Sequence, residues 1–115
     1  MSSFEYGMFI MPFHPPEKPL SQSYDEDLEL IKIAEQLGFS EFWIGEHHTM
    51  KYENIVMPEL FIARAIAETE TIRLGPAPIC LQQHNPAHVA GRLAMLDHLS
   101  KGRLNLCFGS GSVTA

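Results

Sequence analysis

Apolar residues come in two rhythms along this chain. Short dense runs occupy residues 6–11, 41–44, 72 to about 81 and 104–108. Longer stretches between them repeat apolar residues three or four positions apart, as in Tyr24, Leu28, Ile31, Ala34 and Leu37. Dense short runs predict strands, and three-to-four spacing predicts helices with one face on a core. Punctuation residues place the boundaries. The proline-rich stretch 12–19 can be neither helix nor ladder, because proline lacks the N–H and restricts its predecessor. Ser23 followed by Glu26 has the capping-box pattern, and Gly38 suits a helix C-terminus. Pro58 fits the first turn of a second helix through Leu60, Ala63, Ile66 and Ala67. Pro76 and Pro78 interrupt the third strand. Asn85 and Pro86 read as the cap and first position of a third helix, carrying Val89, Ala90, Leu93, Ala94 and Leu96.

The order is β-α-β-α-β-α-β. Such alternation predicts a parallel sheet with right-handed crossovers and sequential strands. The fold class expected is α/β, the N-terminal half of a (β/α)8 barrel. A complete barrel needs about 250 residues, so 1–115 is expected to be the N-terminal half-barrel domain of a longer chain. A four-stranded domain that pairs with a partner is the alternative. Either way the apolar edge of the last strand needs covering, by an oligomer or by a second half.

Composition narrows the class. With 45% apolar residues and 10% aromatic, the chain reads as globular. A net charge of −6 without a basic cluster argues against nucleic acid and anionic membranes as partners. Cys80 and Cys107 lie in strand-like runs and read as buried thiols of a reducing compartment. The N-terminus lacks a signal-peptide pattern, and no apolar run reaches the roughly 20 residues of a membrane span. A soluble cytoplasmic protein is the expectation.

Candidate chemistry lies at the predicted strand ends. In an α/β barrel the C-terminal ends of the strands form the active face. Glu46, His47 and His48 follow the second strand there. Phe13 and His14 follow the first, and Gly109-Ser110-Gly111 follows the fourth. Imidazole suits both proton transfer and metal ligation. No metal site is expected, since consecutive Glu46, His47 and His48 diverge and a helix start separates His84 from His88. Ser110 lacks the nucleophile-elbow pattern, and its glycines make a poor dinucleotide fingerprint. The turn is either merely flexible or a close backbone approach to a flat ring or phosphate. Phe9, Met11, Phe13 and Phe108 would give an apolar lining or serve as core.

The run Leu37-Gly38-Phe39-Ser40-Glu41-Phe42-Trp43-Ile44-Gly45-Glu46-His47-His48 resembles the flavin-dependent bacterial luciferase-like monooxygenases. So do Asp97-His98-Leu99-Ser100-Lys101-Gly102-Arg103, Arg73-Leu74-Gly75-Pro76-Ala77-Pro78 and His84-Asn85-Pro86. The opening Pro12-Phe13-His14-Pro15 is most similar to the limonene monooxygenase-like branch. The resemblance spans essentially the whole chain, in order. It implies a barrel that uses reduced flavin and dioxygen to put one oxygen atom into an apolar organic substrate. Reduced FMN is the implied cofactor, with FAD or a deazaflavin coenzyme as variants, and a separate flavin reductase is the implied partner. His47 maps onto the family's functional histidine. Glu46 and His48 become its neighbours in the substrate pocket, with Phe13 and His14. Ala77-Pro78 maps onto a cis peptide beneath the flavin ring, and Gly109 and Ser110 join it as cofactor-binding positions. The family's phosphate-binding residues lie mostly beyond Ala115. Asp97 and Arg103 are expected to form an ion pair fixing their turn. Deazaflavin-dependent hydride transfer in the same fold, and a non-catalytic truncated assembly partner, are the alternative functions.

Overall fold

A computed structural model describes residues 4–11 and 13–111. Pro12, named above in the first loop, lies outside the described residues. The first strand, β1 (Gly7–Ile10), is followed by helix α1 (Leu20–Gln36) and strand β2 (Glu41–Ile44). Helix α2 (Pro58–Ala67) leads into β3 (Arg73–Pro76) and β4 (Ile79–Cys80). A 3-10 turn (Leu81–Gln83), helix α3 (Pro86–Leu99) and β5 (Phe108–Gly109) complete the chain.

The strands run parallel and in sequence. β2 lies between β1 and β3, with Glu41 beside Gly7 on one side and Arg73 on the other. The predicted third strand is broken at the cis peptide Ala77–Pro78, which separates β3 from β4. The predicted fourth strand pairs only at its ends. Leu104 bridges Leu74 in parallel, and β5 pairs in parallel with β4. Among the described residues the antiparallel bridge is Phe13 with Glu53, between loops.

Helix starts follow local chemistry with one correction. Asn85 Oδ1 accepts the Ala87 N–H ahead of Pro86, and Gly38 takes φ +89° past α1, as expected. The capping box at Ser23 does not form. α1 begins earlier, because the Pro19 carbonyl already accepts the N–H groups of Gln22 and Ser23. Ser23 is buried inside the helix, and Glu26 reaches out to Lys18 Nζ at 2.7 Å.

The core lies between sheet and helices. Phe42, Ile44 and Leu74 point outward onto Leu28, Ile31 and Ala34 of α1, Ile62 and Ala65 of α2, and Val89, Leu93 and Leu96 of α3. Burying each such large side chain contributes about 1.5–3 kcal/mol, so this face drives folding. The other alternation, Phe9 and Met11 with Phe108, stays 45–50% exposed. One sheet face is thus sealed and the other open.

Two further expectations are corrected. Arg103 does not pair with Asp97 among the described residues. Its guanidinium donates to Ile66 O at 3.0 Å, Thr69 Oγ1 at 3.0 Å, Thr69 O at 3.3 Å and Ile72 O at 3.2 Å. The last carbonyls of a helix lack intrahelical partners, and a five-donor fork answers several at once. Asp97 holds its turn through its backbone carbonyl, which accepts the Gly102 N–H. Cys80 is buried as expected, but Cys107 is exposed, on the stretch between the two pairing points of the last strand.

Candidate functional site

The strand ends gather around a cavity of about 570 Å³. β1 contributes Phe9 and the adjoining Met11, and the turn after β2 contributes Glu46, His47 and His48. Ala77, Pro78 and Cys80 line it from the broken third strand, and Gly109, Ser110 and Gly111 from the last. The volume is typical of a small-molecule or cofactor site. The cis Ala77–Pro78 peptide expected from the resemblance is present on its wall. Gly109 is required by contact. A Cβ there would lie 2.9 Å from Pro78 Cγ.

Phe13 and His14, expected in the substrate pocket, are not brought to this cavity. Phe13 stacks on Tyr52 with ring centroids 5.6 Å apart. His14 is buried beneath its loop, with Nε2 2.6 Å from Asp27 Oδ2 and Nδ1 bonded to Asn54 Oδ1. Both side chains therefore tie loops together. Phe108 likewise lies outside the lining.

The two histidines after β2 have separate carboxylate partners. His47 Nδ1 lies 3.4 Å from Glu53 Oε2, and the His47 N–H donates to Ile55 O. His48 Nε2 donates to Glu46 Oε2 at 2.7 Å. Glu46 is fully buried at its side chain and also accepts from His84 Nε2, at 2.9 Å and 3.1 Å to its two oxygens. Arg92 Nη2 donates to His84 Nδ1 at 3.0 Å, while Arg92 Nε donates to Glu59 Oε1 at 2.8 Å. Burial pushes the Cys80 thiol above its ordinary range, and the nearby Glu46 charge adds to this. It is a poor nucleophile in that state.

Sequence spacing did not reveal this chain of groups. His84 is 38 residues from Glu46, and only the parallel crossover brings the two strand ends together. His88, its neighbour by spacing, is exposed. Glu46, His48 and His84 place ligand atoms within 4.8 Å of one another, a cluster that consecutive residues alone would not make. Arg92 and Glu59 carried no local signal beyond ordinary helix positions.

Comparison with known proteins agrees with this architecture. The sequence model of the luciferase-like monooxygenase family matches residues 4–115. Limonene 1,2-monooxygenase of Rhodococcus erythropolis is 42% identical over 107 residues, 93% of this chain and 27% of that protein. The oxygenating constituent of 3,6-diketocamphane monooxygenase from Pseudomonas putida, solved in complex with FMN, superposes with a TM-score of 0.91 at 30% identity, covering 96% of this chain and 30% of that one. The coenzyme F420-dependent tetrahydromethanopterin reductase of Methanopyrus kandleri superposes with a TM-score of 0.75 at 27% identity, covering 96% and 28%. The chain thus spans under a third of the length of these relatives. With a parallel β/α order, a cavity at the strand ends and a family match over residues 4–115, this chain belongs to the luciferase-like monooxygenases.

Proposed function

We propose that this chain forms the substrate and flavin-ring side of a flavin-dependent monooxygenase acting on an apolar organic substrate. The observation that carries the reading is the meeting of Glu46, His47 and His48 with Ala77, Pro78 and Gly109 around one cavity. A flat ring fits these residues. The Gly109 backbone lies against Pro78 with no room for a side chain, which leaves a smooth wall, and Phe9 and Met11 add apolar surface. Ala77, Pro78, Gly109 and Ser110 would hold the ring of reduced FMN, or of FAD in a variant. When bound, reduced flavin supplies the activation of dioxygen, and the protein supplies orientation and exclusion of water. Reduced flavin would come from a separate reductase. Further barrel strands, or a second copy, would cover the open sheet face.

The chain's own residues handle the proton. His47 is the proposed base, held by Glu53, and His48 is its neighbour, held by Glu46. A positioned base contributes about 10²- to 10⁴-fold. His47→Ala in the full-length enzyme should therefore lose that factor in single turnover with photoreduced FMN, dioxygen and an apolar substrate, with flavin affinity largely kept. Wild-type turnover in His47→Ala, with a dead His48→Ala, would reverse the assignment. Unchanged turnover in both would sink the acid–base role.

A second reading has a specific observation behind it. The superposed reductase depends on coenzyme F420, a deazaflavin. Hydride transfer with such a coenzyme would proceed without dioxygen. Oxygen uptake dependent on reduced FMN supports the monooxygenase. Substrate reduction by a reduced deazaflavin under anaerobic conditions supports the alternative.

A further inference from the structure

We infer that Arg92 is a positioning residue: it fixes the tautomer of His84 and so keeps Glu46, His48 and His84 a proton-holding relay closed to metal cations. The argument is one of donors and acceptors. A guanidinium has five N–H donors and no acceptor. With Arg92 Nη2 at 3.0 Å, His84 Nδ1 must present its lone pair. The ring proton of neutral His84 then sits on Nε2, facing Glu46 at 2.9 Å. Glu46 also takes the Nε2 proton of His48 at 2.7 Å. In neutral His48 this leaves the lone pair on Nδ1. His48 lines the cavity and keeps 29% of its side-chain exposure, whereas Glu46 and His84 are sealed at 0% and 3%. The relay's proton-accepting atom is therefore His48 Nδ1.

The same geometry answers the metal question. By distance alone Glu46, His48 and His84 could ligate a cation. Zinc binds histidine through a bare nitrogen at roughly 2.0–2.1 Å. Ligation by His84 Nε2 would move the ring proton to Nδ1, where it would point at an Arg92 N–H. Two donors would face each other beside a fixed positive charge. Glu59, buried in the first turn of α2, holds Arg92 Nε at 2.8 Å and keeps the guanidinium from swinging away. Two helices outside the sheet thereby set the hydrogen positions at the strand mouth.

The inference concerns the cavity of the proposed function but needs neither flavin nor dioxygen, so the two can fail separately. The test uses the full chain labelled with [15N]histidine. Two-bond 1H–15N spectra report each tautomer, and Zn²⁺ is titrated at neutral pH against a competing chelator dye. Wild-type His84 should be the Nε2–H tautomer and bind Zn²⁺ weakly. Arg92→Met should mix the tautomers and tighten Zn²⁺ binding by about 10- to 100-fold, the range that outer-shell partners command. Arg92→Lys, still a donor without an acceptor, should restore both readings. Glu59→Gln should move them in the direction of Arg92→Met but less far, which covers the case of an unfolded Met variant. An Nδ1–H tautomer in the wild type, or tight Zn²⁺ binding there with shifts at His48 and His84, overturns the inference. So does an Arg92→Met protein that folds and changes neither reading.

Discussion

His84 and His14 are both buried, and both use both ring nitrogens, yet their partners differ in kind. His84 meets a donor, Arg92, on one nitrogen and an acceptor, Glu46, on the other. His14 meets acceptors on both, Asn54 Oδ1 and Asp27 Oδ2. One donor and one acceptor fix a neutral ring in a single tautomer. Two oxygen partners instead clamp the His14 ring from both sides, Asp27 on α1 and Asn54 on the loop after β2. The surroundings match the difference. The His84 cluster opens through His48 onto the cavity. The His14 cluster ties the first loop to α1 through Asp27 and to the loop after β2, where the His14 N–H donates to Tyr52 O at 2.6 Å. The same side chain is thus a proton holder in one place and a latch in the other, and its partners, not its burial, decide which.

The largest expected effect separates the two by activity. Glu46→Gln in the full-length enzyme keeps the volume but puts an amide donor against one of two imidazole donors. Single-turnover rate should fall, but by less than the roughly 10²- to 10⁴-fold that loss of the His47 base itself would cost, because Glu46 acts through His48 beside that base. His14→Leu should leave turnover per folded molecule unchanged. Equal losses in both would erase the division into relay and latch.

Much of the frame was legible because it rests on local chemistry. Asn85-Pro86, Gly38 and Pro58 mark helix ends by capping and dihedral constraints that neighbours cannot easily override, and residues 41–44 formed a strand as their dense apolar run predicts. Ser23 failed as a cap because Pro19, four residues earlier, offered its carbonyl first. Arg103 was misassigned because its partners, Ile66, Thr69 and Ile72, arrive through a crossover. The site was half legible for the same reason. Glu46, His47 and His48 stand together in sequence, whereas His84, Arg92 and Glu59 join them only through the packing of α2 and α3.

The next effect is on stability and belongs to the latch. Leaving a buried polar group without its hydrogen-bond partner costs about 1–3 kcal/mol. Asp27 keeps some solvent contact, so His14→Leu should fall at the lower end, read as a lower urea midpoint with an unchanged slope.

The pH dependence sharpens the point. Burial outweighs the hydrogen bond from His14 and holds the Asp27 carboxyl above its ordinary range. A raised acid contributes stability that is fully present below its unfolded value, near pH 4, and is lost as pH rises through the folded value. Asp27→Asn mimics the protonated acid. Its stability relative to wild type should therefore climb as pH rises from the acid side, in paired urea melts. A difference moving the other way would show that pairing with His14 outweighs burial.

The smallest effect tests whether the latch extends to its third member. Tyr24 Oη donates to Asn54 O at 2.6 Å, and its ring meets His14 edge-on at 5.7 Å between centroids. Burial, and then the Asp27 charge, push this phenol above its ordinary range, so it is a donor throughout the neutral range. Tyr24→Phe keeps the ring contact and removes only the hydrogen bond. A net loss of about 0.5–1.5 kcal/mol is expected. The double variant Tyr24→Phe with His14→Leu should lose less than the sum of the singles, because both act on Asn54 and neighbours in one network do not add. Additive losses in a double-mutant cycle would place Tyr24 outside the latch and reduce it to His14, Asp27 and Asn54.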